Sequence, residues 1–361
     1  MKQIIIIADL AATFGGNFIE SMKALQQADR IAIRYVLPQK AKGLKWIHDL
    51  TKVYYSDWSL QDIRNTWQQV QKEGKVDVVH FHFIGGRNGL KWRFVIGNSC
   101  RIVWHLHNHV TSGKGKVAWA KELLNLCLYH NSYKIGVSKS VSESVKKYSD
   151  EHIFTIYNAM YFHRLEQIGE DYLIQRLPQT INCMIMGNHF QRKGVDIAAK
   201  AVKQLNQNGQ KAVLYIVLND SIKPNIETFL KENLQMETYH SYIHFLPVRN
   251  DIATYYKKMD IFLSPSREEG WTWAIDEAAY CGCQVIASKI PGQDENQVPG
   301  FYWVGNPNEG DISNEMAKKI MDIYRMPESV KLDNIARAKE YMVKNFSMDQ
   351  WVENILKVYN A

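Results

Sequence analysis

Short apolar runs alternate with amphipathic stretches along most of the chain. Ile4–Ala8, Ile31–Leu37, Val76–His82, Arg101–His107, Lys134–Ser138 and Ile153–Tyr157 read as strands. Leu60–Gln71, Val117–Leu128 and Val141–Tyr148 carry the three- and four-residue spacing of helices. From residue 160 to 178 the pattern lapses, ending at Pro178, and this stretch reads as a linker. The alternation then restarts with Ile181–Met186, Lys211–Leu218, Tyr242–Leu246, Ile261–Ser264, Gln284–Ser288 and Phe301–Val304. Strand–helix alternation of this kind predicts an α/β fold whose parallel sheets are covered on both faces, with ligands outside the C-terminal strand ends. The chain therefore divides into two Rossmann-like domains, 1–165 and 166–345, closed by a helix at about 346–361.

The most informative loop follows Ile261–Ser264. Glu268, Glu269 and Gly270 precede a helical pattern that begins near Thr272 and stops at Gly282. A helix N-terminus attracts phosphate through unpaired N–H groups and its dipole. Carboxylates such as Glu269 and Glu277 beside that end would repel phosphate, so their natural partners are hydroxyls. A ligand with both phosphates and hydroxyls is a sugar nucleotide. Isolated, the two acids would more simply be a solvated loop residue and a helix-surface charge.

They are not isolated. SREEGWTWAIDEAAYCGCQVIAS resembles the Glu-x7-Glu signature of the family-4 retaining glycosyltransferases of GT-B fold, with Glu269, Gly270, Glu277, Ala278, Gly282, Val285, Ile286 and Ala287 matching. Trp271 takes the place of the family's aromatic, Thr272 that of a second glycine, and Gln284 that of a proline. The resemblance implies two facing Rossmann-like domains with a donor cleft between them. It implies that Glu269 meets the donor sugar, that Glu277 meets the ribose, and that Gly270, Trp271 and Thr272 form the donor loop. GNHFQRKG (187–194) stands where the family has G-R-(x)4-K-G, whose Arg and Lys take the donor phosphates. Lys193 and Gly194 match. Asn188 replaces the family's Arg, which leaves Arg192 to supply the missing cation. DVVHFH (77–82) resembles the family's D-V-V-H-x-H, and His107-Asn108 its His-Asp, placing His107 at the donor sugar. Gly15-Gly16, after the first strand, resembles the loop near the donor diphosphate, although a tight turn explains a Gly-Gly equally well.

Five histidines, His80, His82, His105, His107 and His109, gather at two strand ends. No carboxylate or cysteine accompanies them and the chain has no Asp-x-Asp, so no metal and no other cofactor is expected. Ser138 reads as a helix cap. The odd, scattered cysteines (Cys100, Cys127, Cys183, Cys281, Cys283) argue for reduced thiols in the cytoplasm. No apolar run approaches the roughly 18 residues that span a bilayer.

Charge is uneven. Residues 1–165 hold 23 Lys or Arg against 12 Asp or Glu, and the rest 21 against 25. The first half thus faces something anionic. Two basic aromatic stretches, Arg34–Tyr55 with Trp46 and Arg87–Arg101 with Trp92 and Phe94, suit an anionic membrane on the inner face of the cell membrane, or a merely solvated face. Nucleic acid is not expected, as no binding motif for it is present. The resemblance implies a retaining glycosyltransferase, and the absence of Asp-x-Asp fits a metal-independent one. It would move sugar from a nucleotide sugar, UDP-linked above all, to a saccharide or polyprenyl-linked acceptor in surface polysaccharide assembly. A non-catalytic binding partner and a sugar-nucleotide epimerase are the alternatives.

Overall fold

A computed structural model describes residues 1–14, 16–113 and 115–361. It has two α/β units, 1–161 with 346–361 and 162–345. The first holds a seven-stranded parallel sheet of β1 (Lys2–Ala8), β2 (Ile31–Pro38), β3 (Lys52–Ser56), β4 (Val78–His82), β5 (Arg101–Leu106), β6 (Tyr133–Gly136) and β7 (Ile153–Thr155), in the order 3-2-1-4-5-6-7. The second holds a six-stranded parallel sheet of β8 (Ile181–Met186), β9 (Ala212–Leu218), β10 (Ile243–Pro247), β11 (Ile261–Ser264), β12 (Gln284–Ser288) and β13 (Phe301–Val304), in the order 10-9-8-11-12-13. Both are Rossmann-like, as expected. The strand order reverses direction at β1/β4 and at β8/β11, and in sheets of this kind ligands bind outside the C-terminal strand ends at such a reversal.

The central strands are apolar on both faces because helices cover both sides. Ile4 to Ile7 are fully buried, as are Leu263 and Ile286. Two departures from the sequence pattern have clear causes. The strand β3 escaped it: this five-residue edge strand opens on Lys52 and sits within the basic stretch, where charge masks the alternation. The aromatic residues of the basic stretches also turn inward. Trp92 is 0 % exposed and Trp46 7 %, its indole N–H donating to the Ala12 carbonyl at 2.9 Å. Of the three aromatics singled out there, Phe94 alone faces solvent. Ser138 caps its helix as expected, its hydroxyl accepting from the Val141 N–H.

The final helix, Met348–Asn360, belongs to the first unit. Its Tyr359 is buried, with the hydroxyl 2.7 Å from His80 Nδ1, and its last carbonyls accept from Lys2 Nζ and the Arg101 guanidinium. Cations at a helix C-terminus offset both the dipole and the unpaired carbonyls. Tyr359→Phe leaves a buried imidazole nitrogen without its partner. It is expected to lower stability by about 1–3 kcal/mol, read as a shift of the urea midpoint at unchanged slope.

Candidate functional site

In the second unit the loops after β8 and β11, which flank the switch in strand order, are bound to each other. The Arg267 N–H donates to the Arg192 carbonyl at 2.8 Å. The Arg192 guanidinium reaches the Glu268 carbonyl at 2.9 Å, and Arg267 in turn grips Asp196 through both its terminal nitrogens. Gly194 makes this approach possible. It has φ +71°, and a Cβ there would stand 2.1 Å from the Pro265 carbonyl oxygen. Gly292, at φ +88°, lies as closely against the Glu269 carbonyl, 2.4 Å from an added Cβ.

The result brings Glu269 to two cations that lie 76 and 77 positions before it in the sequence. Lys193 Nζ donates to Glu269 Oε1 at 2.6 Å and Arg192 Nη1 reaches Oε2 at 3.3 Å. Glu269 is buried, while Lys193 keeps part of its surface and Arg192 rather more. The helix Trp273–Tyr280 begins just beyond, and its N-cap residue Thr272 supplies no side-chain cap. Two cations from the loop after β8 thus meet a carboxylate on the loop after β11, which runs on into a helix N-terminus. Asn188 is spent locally, its Oδ1 accepting from the Asn219 N–H at 3.0 Å.

The side chains of Trp271 and Thr272 turn into the protein. Thr272 donates to Gln293 Oε1 at 3.0 Å and Trp271 Nε1 to Asp276 Oδ2 at 3.2 Å, both buried. What this loop leaves at its surface is therefore mainly backbone. Gln293, 0 % exposed, also accepts from the Ser264 hydroxyl and donates to the carbonyls of Ser264 and Ser288. Asp276 accepts a second bond from Asn296 Nδ2 at 2.6 Å, and burial pushes its carboxyl up to about 8 against those two bonds. Glu277, one residue on, is held between Arg164 and the buried Tyr256 hydroxyl. Arg164 escaped the sequence reading because it falls on a turn, Phe162–Leu165, inside what looked like linker. Asp276, Gln293 and Asn296 escaped it because nothing local separates a buried polar residue from a surface one.

In the first unit the histidines converge at the ends of β4 and β5. His105 and His107 stack at 4.8 Å, His82 Nδ1 lies 3.0 Å from His107 Nε2, and His105 Nδ1 lies 3.3 Å from His80 Nε2. His109 instead meets Ser140 at 3.1 Å. Burial, reinforced by the neighbouring histidines, holds His80, His82 and His107 well below the usual imidazole range, and burial takes His105 to about 3. All four are neutral near pH 7. The ring nitrogens of His80, His82 and His105 lie within 4.8 Å of one another, so these three could hold a metal ion such as Zn²⁺. Phe18, in the helix Gly16–Gln26, packs edge-on against His82 and His107. Gly16 opens that helix at φ +54°; Gly15 lies outside the described residues. His107 and Asn108 line a cavity of about 530 Å³ with Arg87, Lys121 and Tyr129.

Gly194→Ala is expected to unfold the junction of the two loops. A loss of more than about 2 kcal/mol in stability, with loss of any ligand bound there, checks this. Asp276 also makes a pH prediction. Its folded pKa is raised, so between about pH 4 and about 8 the folded state holds a proton that the unfolded state has lost. Its contribution therefore falls as pH rises through that window, by up to about 1.4 kcal/mol per unit. Asp276→Asn is expected to flatten that decline in urea titrations across the window.

Residues 180–326 match the family described as Glycosyl transferases group 1. An uncharacterized glycosyltransferase of Methanocaldococcus jannaschii is 27% identical over 179 residues, 49% of this chain and 47% of that protein. The N,N'-diacetylbacillosaminyl-diphospho-undecaprenol alpha-1,3-N-acetylgalactosaminyltransferase of Campylobacter jejuni is 29% identical over 119 residues, 32% of this chain and 28% of that protein. The aligned stretches thus span less than half the length of these curated relatives. Among solved structures, Anabaena HepE in complex with UDP and glucose superposes with a TM-score of 0.77 at 16% identity, covering 100% of both chains. Residues 180–326 are thus similar to the group 1 glycosyltransferases, and the chain as a whole has the GT-B-like fold of two parallel-sheet Rossmann-like domains.

Proposed function

We propose that this chain is a glycosyltransferase that moves a sugar from a nucleotide sugar, UDP-linked, to a saccharide or lipid-linked acceptor in surface glycan assembly. The observation that carries the reading is the meeting of Lys193, Arg192 and Glu269 on the loop that opens the helix Trp273–Tyr280. Support for the donor comes from HepE, solved with UDP and glucose, and for the acceptor from the Campylobacter relative, whose name specifies a diphospho-undecaprenol-linked sugar.

In this reading the donor diphosphate takes Lys193 and Arg192 from Glu269, with backbone N–H groups of the 270–273 turn as further donors. Glu269, released from its cations, accepts from the hydroxyls of the transferred sugar. Glu277, oriented by Arg164 and Tyr256, accepts from the ribose diol. His107, neutral and therefore both donor and acceptor, is suited to hydrogen-bond sugar hydroxyls. The acceptor oxygen bonds to the anomeric carbon as the bond from that carbon to the phosphate oxygen breaks. The acceptor proton passes to the departing diphosphate on the same face, which retains configuration. Lys193 and Arg192 carry the leaving-group charge without a metal ion.

Lys193→Ala is expected to weaken UDP binding on the order of a hundredfold, about 2–3 kcal/mol, in titration calorimetry. Glu277→Gln, which keeps the shape, is expected to lose donor binding more fully than Lys193→Arg. Glu269→Ala is expected to lower turnover more than donor affinity. Activity should survive excess EDTA. A parent protein that neither binds nor hydrolyses any nucleotide sugar would falsify the enzyme reading and favour a non-catalytic partner.

A further inference from the structure

Two helices on the outside of the first unit carry an apolar surface that nothing described covers. Gly86–Ile96 and Ala118–Tyr129 lie side by side and run the same way: an added Cβ at Gly86 would meet Leu124, one at Gly89 would meet Leu128, and Arg93 donates to the His130 carbonyl. Each packs one side inward, through Trp92 and Ile96 or through Asn125 and Leu128. The other side is apolar as well. Trp119, Leu123 and Leu126 recur at four and three residues along one helix, and Leu90 and Phe94 at four along the other. Trp119 is 70 % exposed and Phe94 71 %. Soluble surfaces rarely keep large apolar side chains grouped in this way.

The charge around the patch narrows the occupant. Along the two helices stand Arg87, Lys91, Arg93 and Lys121, and no Asp or Glu precedes Glu122 there. Arg87 shares the exposed stripe of Leu90 and Phe94, and Lys121 lies between Trp119 and Leu123. The first acid beyond, Glu122, is neutralised by Lys147 at 2.9 Å. A second copy of this surface would bring cation against cation. A nucleic acid would meet cations but leave Leu90, Leu123 and Leu126 in water. An interface of phosphate headgroups over acyl chains satisfies both the cations and the apolar side chains.

We propose that the outward face of the helices Gly86–Ile96 and Ala118–Tyr129 docks on an anionic lipid bilayer, with Trp119, Leu123, Leu126, Leu90 and Phe94 entering the interface. Arg87 and Lys121 lie against the headgroups. No helix among the described residues is long and apolar enough to cross a membrane, so contact of this kind is peripheral. The two helices also wall the cavity that holds His107 and Asn108, so docking brings that cavity to the lipid surface. Binding is read without substrate, and the proposal is therefore independent of the glycosyltransferase reading.

The test is co-sedimentation with vesicles of phosphatidylglycerol and phosphatidylethanolamine against vesicles of phosphatidylcholine. The parent is expected to bind the anionic vesicles and to be released as salt rises. Phe94→Ser/Leu123→Ser is expected to bind at least about tenfold more weakly with unchanged melting temperature, because both side chains are already in water. Leu332→Ser, an equally exposed change in the second unit, should bind as the parent does. The proposal is overturned if the double variant binds like the parent, or if both vesicle types are bound alike. It is equally overturned if the parent ignores vesicles while self-associating through this face or being retained on a polyribonucleotide.

Discussion

The second unit depends on a single buried amide. Gln293 Oε1 accepts two hydroxyls, from Ser264 and Thr272, while Nε2 donates to the Ser264 and Ser288 carbonyls. It thereby joins the end of β11, the end of β12 and the start of the helix Trp273–Tyr280 at one point. A primary amide suits this post because it offers two donors and a carbonyl with two lone pairs. In a fully buried place each of those groups must be met, so geometry at one strand end is transmitted to the others. Removing the amide would strand donors and acceptors that water cannot reach.

On that frame sits a set of charges whose arrangement is costly unless matched. Glu269 is buried against Lys193 and Arg192, and Glu277 against Arg164 and a tyrosine hydroxyl. Buried ion pairs contribute little net stability, since desolvation cancels most of the attraction. Their effect is to hold the two acids in place, each carboxylate oxygen met by a donor. The same logic explains the company of Asp276. Placed in the first turn of the helix but fully buried, its carboxyl is surrounded by the Asn296 amide and the Trp271 indole instead of solvent, which holds the turn 270–273 in shape.

The first unit solves a different problem. Its strand ends gather four imidazoles that hydrogen-bond in pairs and remain neutral, so a basic half of the chain carries an uncharged polar centre. Acidification works against it. Below the ordinary imidazole range the unfolded chain takes up protons that the buried rings refuse, and stability falls. On its outer side the same unit keeps apolar residues in water, where packing gives them nothing.

What the chain's pattern determined by itself was periodicity. Runs such as Ile4–Ala8 and Ile261–Ser264 state their structure locally, because a strand covered on both faces must be apolar throughout. Turn and cap positions such as Ser138 are equally local. The spacing of Glu269 and Glu277 was also visible, since both lie on one loop and helix. Tertiary structure alone decided which cations meet Glu269, that Arg164 in an apparent linker holds Glu277, and that Trp46 and Trp92 pack inward while Trp119 does not. It also decided that the strand β3 forms at a sheet edge from a lysine-led segment. Each of these rests on burial or on contacts between residues far apart in sequence. A residue type does not carry that information: the same tryptophan or glutamine is core or surface according to what the fold places against it.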